Sequence, residues 1–162
     1  MPPGQIEAGS GTAQHHHTEC AKVEGGSQTV RSEADIRGLL AEAGLRPTRQ
    51  RILLATLLFG QGDRHVTAEG LHGEVARLGE HVSLATVYNA LHQFKQAGLL
   101  RELAIEGSKA YFDTNTSNHN HFYLESEGRL MDIAGVRVEG MPEPPEGHRI
   151  SHVDVVIRLV KD

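Results

Sequence analysis

Between residues 32 and 98 the chain repeats one unit four times: a Ser or Thr, an apolar run at helical spacing, and a glycine. Ser32 precedes Ile36, Leu39, Leu40 and Ala43, with Gly44 beyond; Thr48 precedes the run from Ile52 to Phe59, closed by Gly60. Thr67 precedes Leu71, Val75 and Leu78, closed by Gly79, and Ser83 precedes Leu84, Val87, Leu91 and Phe94, closed by Gly98. A hydroxyl at the head of such a run accepts an orphan N–H of the first turn, and a glycine at its end adopts the conformation that stops a helix. The pattern predicts helices over 32–43, 48–59, 67–78 and 83–94. The second is apolar around most of its circumference, so it belongs in the middle of a helical cluster. The fourth leaves Tyr88, Asn89 and His92 on its outer side.

Beyond Gly98 the period shortens to that of strands. Leu99 to Ile105, a turn at residues 106–108 and Lys109 to Asp113 read as a hairpin; His121 to Glu125, Arg129 to Ile133 and Ile150 to Val160 also alternate. The expected fold is α+β: an N-terminal winged helix-turn-helix domain over 31–114, followed by a small α/β dimerisation and sensing domain over 115–162. Its fourth helix is the element offered to the major groove. Val153, Val155, Ile157 and Leu159 alternate with Val156 and Val160, so the last strand needs partners on both faces. Residues 1–30, rich in Gly, Ser, Thr, Gln and His without apolar period, are expected to be a flexible arm. In that arm His15, His16, His17 and Cys20 could bind a metal ion or haem, although a polar tail is the simpler reading.

A lone Cys20 excludes an intrachain disulfide and a cysteine-based structural zinc site. Net charge is −5, yet residues 31–113 balance at zero and cluster Arg46, Arg49 and Arg51, whereas 114–162 carry five basic and eight acidic side chains. Only the first segment is suited to phosphate. The longest apolar run is far too short to span a bilayer and no charged-plus-apolar leader opens the chain, which predicts a cytoplasmic protein without membrane contact. There is no His-Glu-x-x-His helix, phosphate-cradling glycine loop or nucleophile-base pair, so an enzyme is not expected. His119 and His121 alternate along an expected strand and can converge on one cation.

Five motifs occur in order: Arg46-Pro47-Thr48-Arg49-Gln50-Arg51, His65-Val66-Thr67-Ala68-Glu69, Ser83-Leu84-Ala85-Thr86-Val87-Tyr88, Lys109-Ala110-Tyr111-Phe112-Asp113 and His119-Asn120-His121. Together they resemble the ferric uptake regulator (Fur) superfamily over roughly residues 40–162. Phe122-Tyr123-Leu124-Glu125 and the Pro-rich Met141 to His148 are most similar to its iron response regulator (Irr) branch. The resemblance implies a homodimeric regulator, mainly a repressor, of iron and haem homeostasis genes that binds double-stranded DNA at an A/T-rich inverted repeat. It implies DNA contacts from Arg46, Arg49, Ser83, Ala85, Thr86, Tyr88 and Asn89. Many members have Arg where this chain has Asn89, and Asn pairs with adenine where Arg prefers guanine.

The resemblance further implies a metal site of His65, Asp113, His119, His121 and Asp132, joining a loop of the DNA-binding half, the wing and the sheet domain. Mn(II) or Fe(II) is the expected ion, with Zn(II) able to occupy the same donors. Haem, free or brought by a haem-delivering protein, is the implied regulatory ligand at His119 or His121. These side chains project side by side, so one haem iron can take only one of them. Asp rather than Glu at 113 and 132 keeps open a peroxide sensor in which bound Fe(II) promotes oxidation of a His ligand. The family's Cys-x-x-Cys is replaced by Leu124-Glu125-Ser126-Glu127, so no structural zinc is expected. A second family site is degraded, with Asn118 and Asn120 in place of ligands and His152 remaining.

Overall fold

The computed structural model describes residues 31–106 and 109–162. The expected arm, with His15, His16, His17 and Cys20, lies outside the described residues. The elements are α1 (Glu33–Glu42), α2 (Arg49–Phe59), β1 (His65–Val66), α3 (Ala68–Arg77), α4 (Leu84–Gln96), β2 (Arg101–Glu106), β3 (Lys109–Asp113), β4 (Asn120–Leu124), β5 (Arg129–Ile133) and β6 (Val156–Leu159). Ser32, Thr48, Thr67 and Ser83 each cap a helix, accepting the N–H three residues on. Asp35 returns the bond to Ser32, completing a capping box. Gly98 ends α4 at φ 74°, as a left-handed stop requires. Gly60 caps α2 in a helical conformation, φ −75°, and glycine is needed there because a Cβ would lie 2.4 Å from the Thr56 carbonyl oxygen.

The helices close on one core in which Ile36, Leu40, Leu54, Leu58, Leu71, Val87, Leu91 and Phe94 are fully buried. Phe112 of β3 reaches into the same cluster, so the hairpin is anchored to the helices. The hairpin is part of a three-stranded sheet of order β1-β3-β2. This corrects the two-stranded expectation and takes His65 off a loop: residues 65 and 66 pair antiparallel with β3, His65 opposite Asp113. Two residues carry too little alternation to announce a strand.

The second sheet has the order β5-β4-β6, with β4 antiparallel to β5 and parallel to β6. Two expectations fail in this half. The last strand is confined to residues 156–159, and among the described residues 115–162 contain no helix, so this half is a sheet with extended connections rather than α/β. Pro142, Pro144 and Pro145, with Gly135, Gly140 and Gly147 at positive φ, leave no stretch of 134–149 able to propagate helical hydrogen bonds. No helix among the described residues is long and apolar enough to cross a membrane.

One face of the second sheet packs on the first. Leu103, Ile105 and Tyr111 meet Tyr123 and Leu130 in a separate small core, with Val156 against it. Arg158 lies over the Tyr123 ring, 5.4 Å from its centroid. The opposite face carries Met131, Ile157 and Leu159 in the open, with Phe122 in register between Met131 and Ile157.

Phe94→Ala should cost about 3 to 5 kcal/mol of unfolding free energy, because the buried ring leaves a cavity its neighbours cannot fill. Leu78→Ala, at a side chain 60% exposed, should stay within about 0.5 kcal/mol. Urea titration followed by circular dichroism compares the two.

Candidate metal centre

Two cross-strand pairs build the cluster, each one histidine opposite one aspartate. His65 is in register with Asp113 in the first sheet, and His121 with Asp132 in the second. The packing of the sheets brings the pairs together, and His119, just ahead of β4, completes the set. One ligand atom from each of His65, Asp113, His119, His121 and Asp132 lies within 4.8 Å of all the others. Donors facing each other across an ion at about 2.0–2.2 Å would be separated by about 4.4 Å, so this spacing suits a single cation. The structure thus brings together all five expected residues.

The contacts are short but poorly satisfied as hydrogen bonds. His65 Nε2 is 2.9 Å from Asp132 Oδ1 and His119 Nε2 is 2.9 Å from Asp113 Oδ2, yet both nitrogens are buried without a hydrogen-bond partner. They aim at the space between the oxygens. His121 Nε2 and Asp113 Oδ2 do bond, at 3.3 Å. Buried polar atoms are normally paired, so unpaired imidazole nitrogens beside two carboxylates fit a set of cation ligands. Asp113 and His121 are fully buried, whereas the Asp132 side chain is 38% exposed.

Electrostatics agree with this reading. Burial lowers the pKa of His65, outweighing the attraction of Asp113 and Asp132. Burial raises that of Asp113, but the His121 hydrogen bond, the Asn115 amide and the nearby His65 and His119 outweigh it and hold the carboxyl below its usual range. A neutral imidazole and an ionised carboxylate are the states cation binding requires. Three nitrogens and two oxygens form a set compatible with Mn(II), Fe(II) or Zn(II).

The supporting residues were not foreseen. Asn115 donates its backbone N–H to Asp113 Oδ1 at 2.8 Å and its side-chain amide to Asp132 Oδ2 at 3.4 Å. Its own oxygen accepts from Ser117 N and Oγ. The Ser117 carbonyl accepts from His119 Nδ1 at 2.9 Å, which leaves Nε2 as the atom offered to the cluster. Residues 114–118 are polar and turn-forming, a signal for a loop but not for its bonding. His152 stands apart, 3.0 Å from Asp154.

The residues expected to meet DNA lie at the start of α2 and along α4. Ser83, Ala85 and Asn89 are exposed on α4, with Thr86 and Tyr88 half-buried. Ser83 and Thr86 are tied through their hydroxyls at 2.8 Å, and Tyr88 donates to Glu69 at 2.6 Å. Arg46 is exposed with no side-chain partner among the described residues. Arg49 binds both oxygens of Glu80 at 3.0 Å, a pair that its exposure leaves weak. Arg51 is turned inward, holding Gln93 of α4 and the Arg46 carbonyl.

The pattern of the Ferric uptake regulator family matches residues 42–158. A ferric uptake regulation protein of Vibrio parahaemolyticus is 36% identical over 107 residues, covering 65% of this chain and 72% of that protein. One from Shigella flexneri is 34% identical over 101 residues, covering 62% and 68%. The solved structure of the ferric uptake regulator from Pseudomonas aeruginosa with manganese superposes with a TM-score of 0.59 at 26% identity, covering 77% of this chain and 96% of that one.

Saturating Mn(II), at about 100 times its Kd, should raise the unfolding free energy by about 2.7 kcal/mol. The His119→Ala, His121→Ala double variant should lose this increment while keeping its metal-free circular dichroism spectrum. Thermal unfolding with and without Mn(II) is the measurement.

Proposed function

Because the chain belongs to the ferric uptake regulator family of metal-sensing transcription regulators, we propose that it is a homodimeric, winged-helix DNA-binding regulator of iron homeostasis genes, acting mainly as a repressor. Residues 31–114 form its DNA-binding domain and 115–162 its dimerisation and sensing domain. The observation that carries the reading is the convergence of five ligand atoms from both sheets within 4.8 Å. His65 and Asp113 belong to the half that carries α4, and His119, His121 and Asp132 to the other. A bound divalent cation supplies positive charge that offsets the two carboxylates. The five residues would hold such an ion and through it tie the halves at one angle; without it the Asp113 and Asp132 carboxylates would repel each other and weaken the tie. DNA affinity then follows if the tied arrangement is the one that fits two half-sites.

Recognition falls to α4. Tyr88 offers a ring to a thymine methyl, Thr86 a methyl and a hydroxyl, and Asn89 a bidentate amide suited to adenine. Arg46, and Arg49 once released from Glu80, supply the cations for phosphate or the minor groove. Both Mn(II) and Fe(II) suit the donors. Haem, implied by the Irr resemblance, is the less favoured ligand, since His121 is fully buried with its Nε2 turned into the cluster.

The dimer is assigned to the open face of the second sheet, where Met131, Phe122 and Ile157 make an apolar row beside Leu124 and Leu159. β6 also lies at the edge of its sheet, free to pair with a second strand. Ile157→Glu should therefore give monomers by light scattering with the secondary structure retained; a persistent dimer would refute this assignment.

Fluorescence anisotropy on an A/T-rich inverted repeat should detect binding that strengthens with Mn(II). Tyr88→Ala or Asn89→Ala should cost about 1 to 3 kcal/mol at the cognate site and little on random duplex. Equal losses on both duplexes, or affinity indifferent to Mn(II), would overturn the reading.

A further inference from the structure

Arg101 sits at the junction of three segments that share no sequence proximity. Its backbone, at the start of β2, is in register with Asp113. Its guanidinium donates through Nη1 to the Ser117 carbonyl and through Nη2 to Asp154 Oδ1, in the segment leading to β6. The side chain is only 17% exposed. The Ser117 carbonyl is also the acceptor that His119 Nδ1 binds at 2.9 Å, so one oxygen receives both groups, using its two lone pairs.

We infer that Arg101 is a positioning residue for the cation site: it fixes the Ser117 carbonyl, which in turn sets the orientation and tautomer of His119, with Asp154 as its anchor. This rests on the metal-binding reading of the cluster. Ser117 lies in the loop between β3 and β4 and belongs to no strand, so its carbonyl is not held by a ladder. Asn115 restrains its N–H and hydroxyl, and Arg101 restrains the carbonyl. A planar guanidinium presents two nitrogens at fixed separation, so the carbonyl and the carboxylate are held together by one rigid group. Partners of a ligand's second ring nitrogen orient the ligand and tune its basicity. Asp154 also balances the charge of Arg101, whose field would otherwise oppose a cation beside His119.

The same fork connects β2 of the helical half to the segment leading into β6, the edge strand of the sheet assigned to the dimer. The orientation of His119 is therefore coupled to the packing of the 150–155 segment, a link independent of the ligands themselves.

The test uses the full chain and Mn(II). Arg101→Lys keeps the charge but cannot span both acceptors, and should weaken Mn(II) binding roughly 10- to 100-fold in calorimetric titration. In the His119→Ala background the same substitution should produce no further loss, since it acts through that ring. Nitrogen spectra of histidine-labelled, metal-free protein should find His119 as the Nδ1–H tautomer in the parent chain and a mixture in Arg101→Lys. Asp154→Asn should move both readouts in the same direction and carries the decision if Arg101→Lys does not fold. Affinity unchanged within about twofold, an equal loss in the His119→Ala background, or an unaltered tautomer would each overturn the inference. The tautomer measurement needs no metal, so failure of the parent chain to bind Mn(II) would count against the metal reading and leave the positioning claim to be decided separately.

Discussion

The structure depends on two backbone registers. Pairing β1 with β3 sets His65 against Asp113, and pairing β4 with β5 sets His121 against Asp132. Residues directly opposite across an antiparallel pair lie close enough for their side chains to meet, so each sheet prepares half of the cluster before the sheets meet. A slip of one residue in either ladder would turn its histidine or its aspartate to the wrong face. The small core of Leu103, Ile105, Tyr111, Tyr123 and Leu130 then decides whether the halves coincide.

That core is small compared with the one beneath the helices. The helical half is held by a continuous apolar cluster with Phe112 locked into it, which makes α4 a rigid platform. The second sheet rests on the first through the small apolar core, the Tyr111 hydroxyl on the Gly128 carbonyl, the His and Asp contacts of the cluster and the bonds of Arg101 and Arg158. A joint of this kind has a low cost of opening compared with a domain core. The proposed regulation requires that charges gathered across it shift its position while both cores stay intact.

Burial divides labour within the cluster. Asp113 and His121 are shut away from water, where an unbalanced carboxylate is costly, while Asp132 remains partly open. Asp132 is the solvent side of the cluster, and behind it Asp113 is held by the Asn115 amide and His119 by the Ser117 carbonyl. The exposed face of α4 works by the opposite principle. Ser83, Ala85 and Asn89 stand in solvent, and Tyr88 is steadied there by Glu69.

The sequence by itself determined the four capped helices, their buried faces and the hairpin after Gly98, because hydroxyl caps, glycine stops and the 3.6 and 2 periods are local signals; the five cluster residues were named by the family resemblance, not by those periods. It left His65 on a loop, made the last strand seven residues too long by extending it over 150–160 instead of 156–159, and expected an α/β unit in the C-terminal half. These errors share a cause: a two-residue strand and an alternating segment without a partner look alike until another strand supplies hydrogen bonds. Asn115, Ser117, Arg101 and Asp154 were illegible for the same reason, since nothing in an isolated Arg or Asn tells which carbonyl it will meet. Only the tertiary structure decided that the two registers face each other, because long-range packing, not local pattern, sets which sheet faces touch.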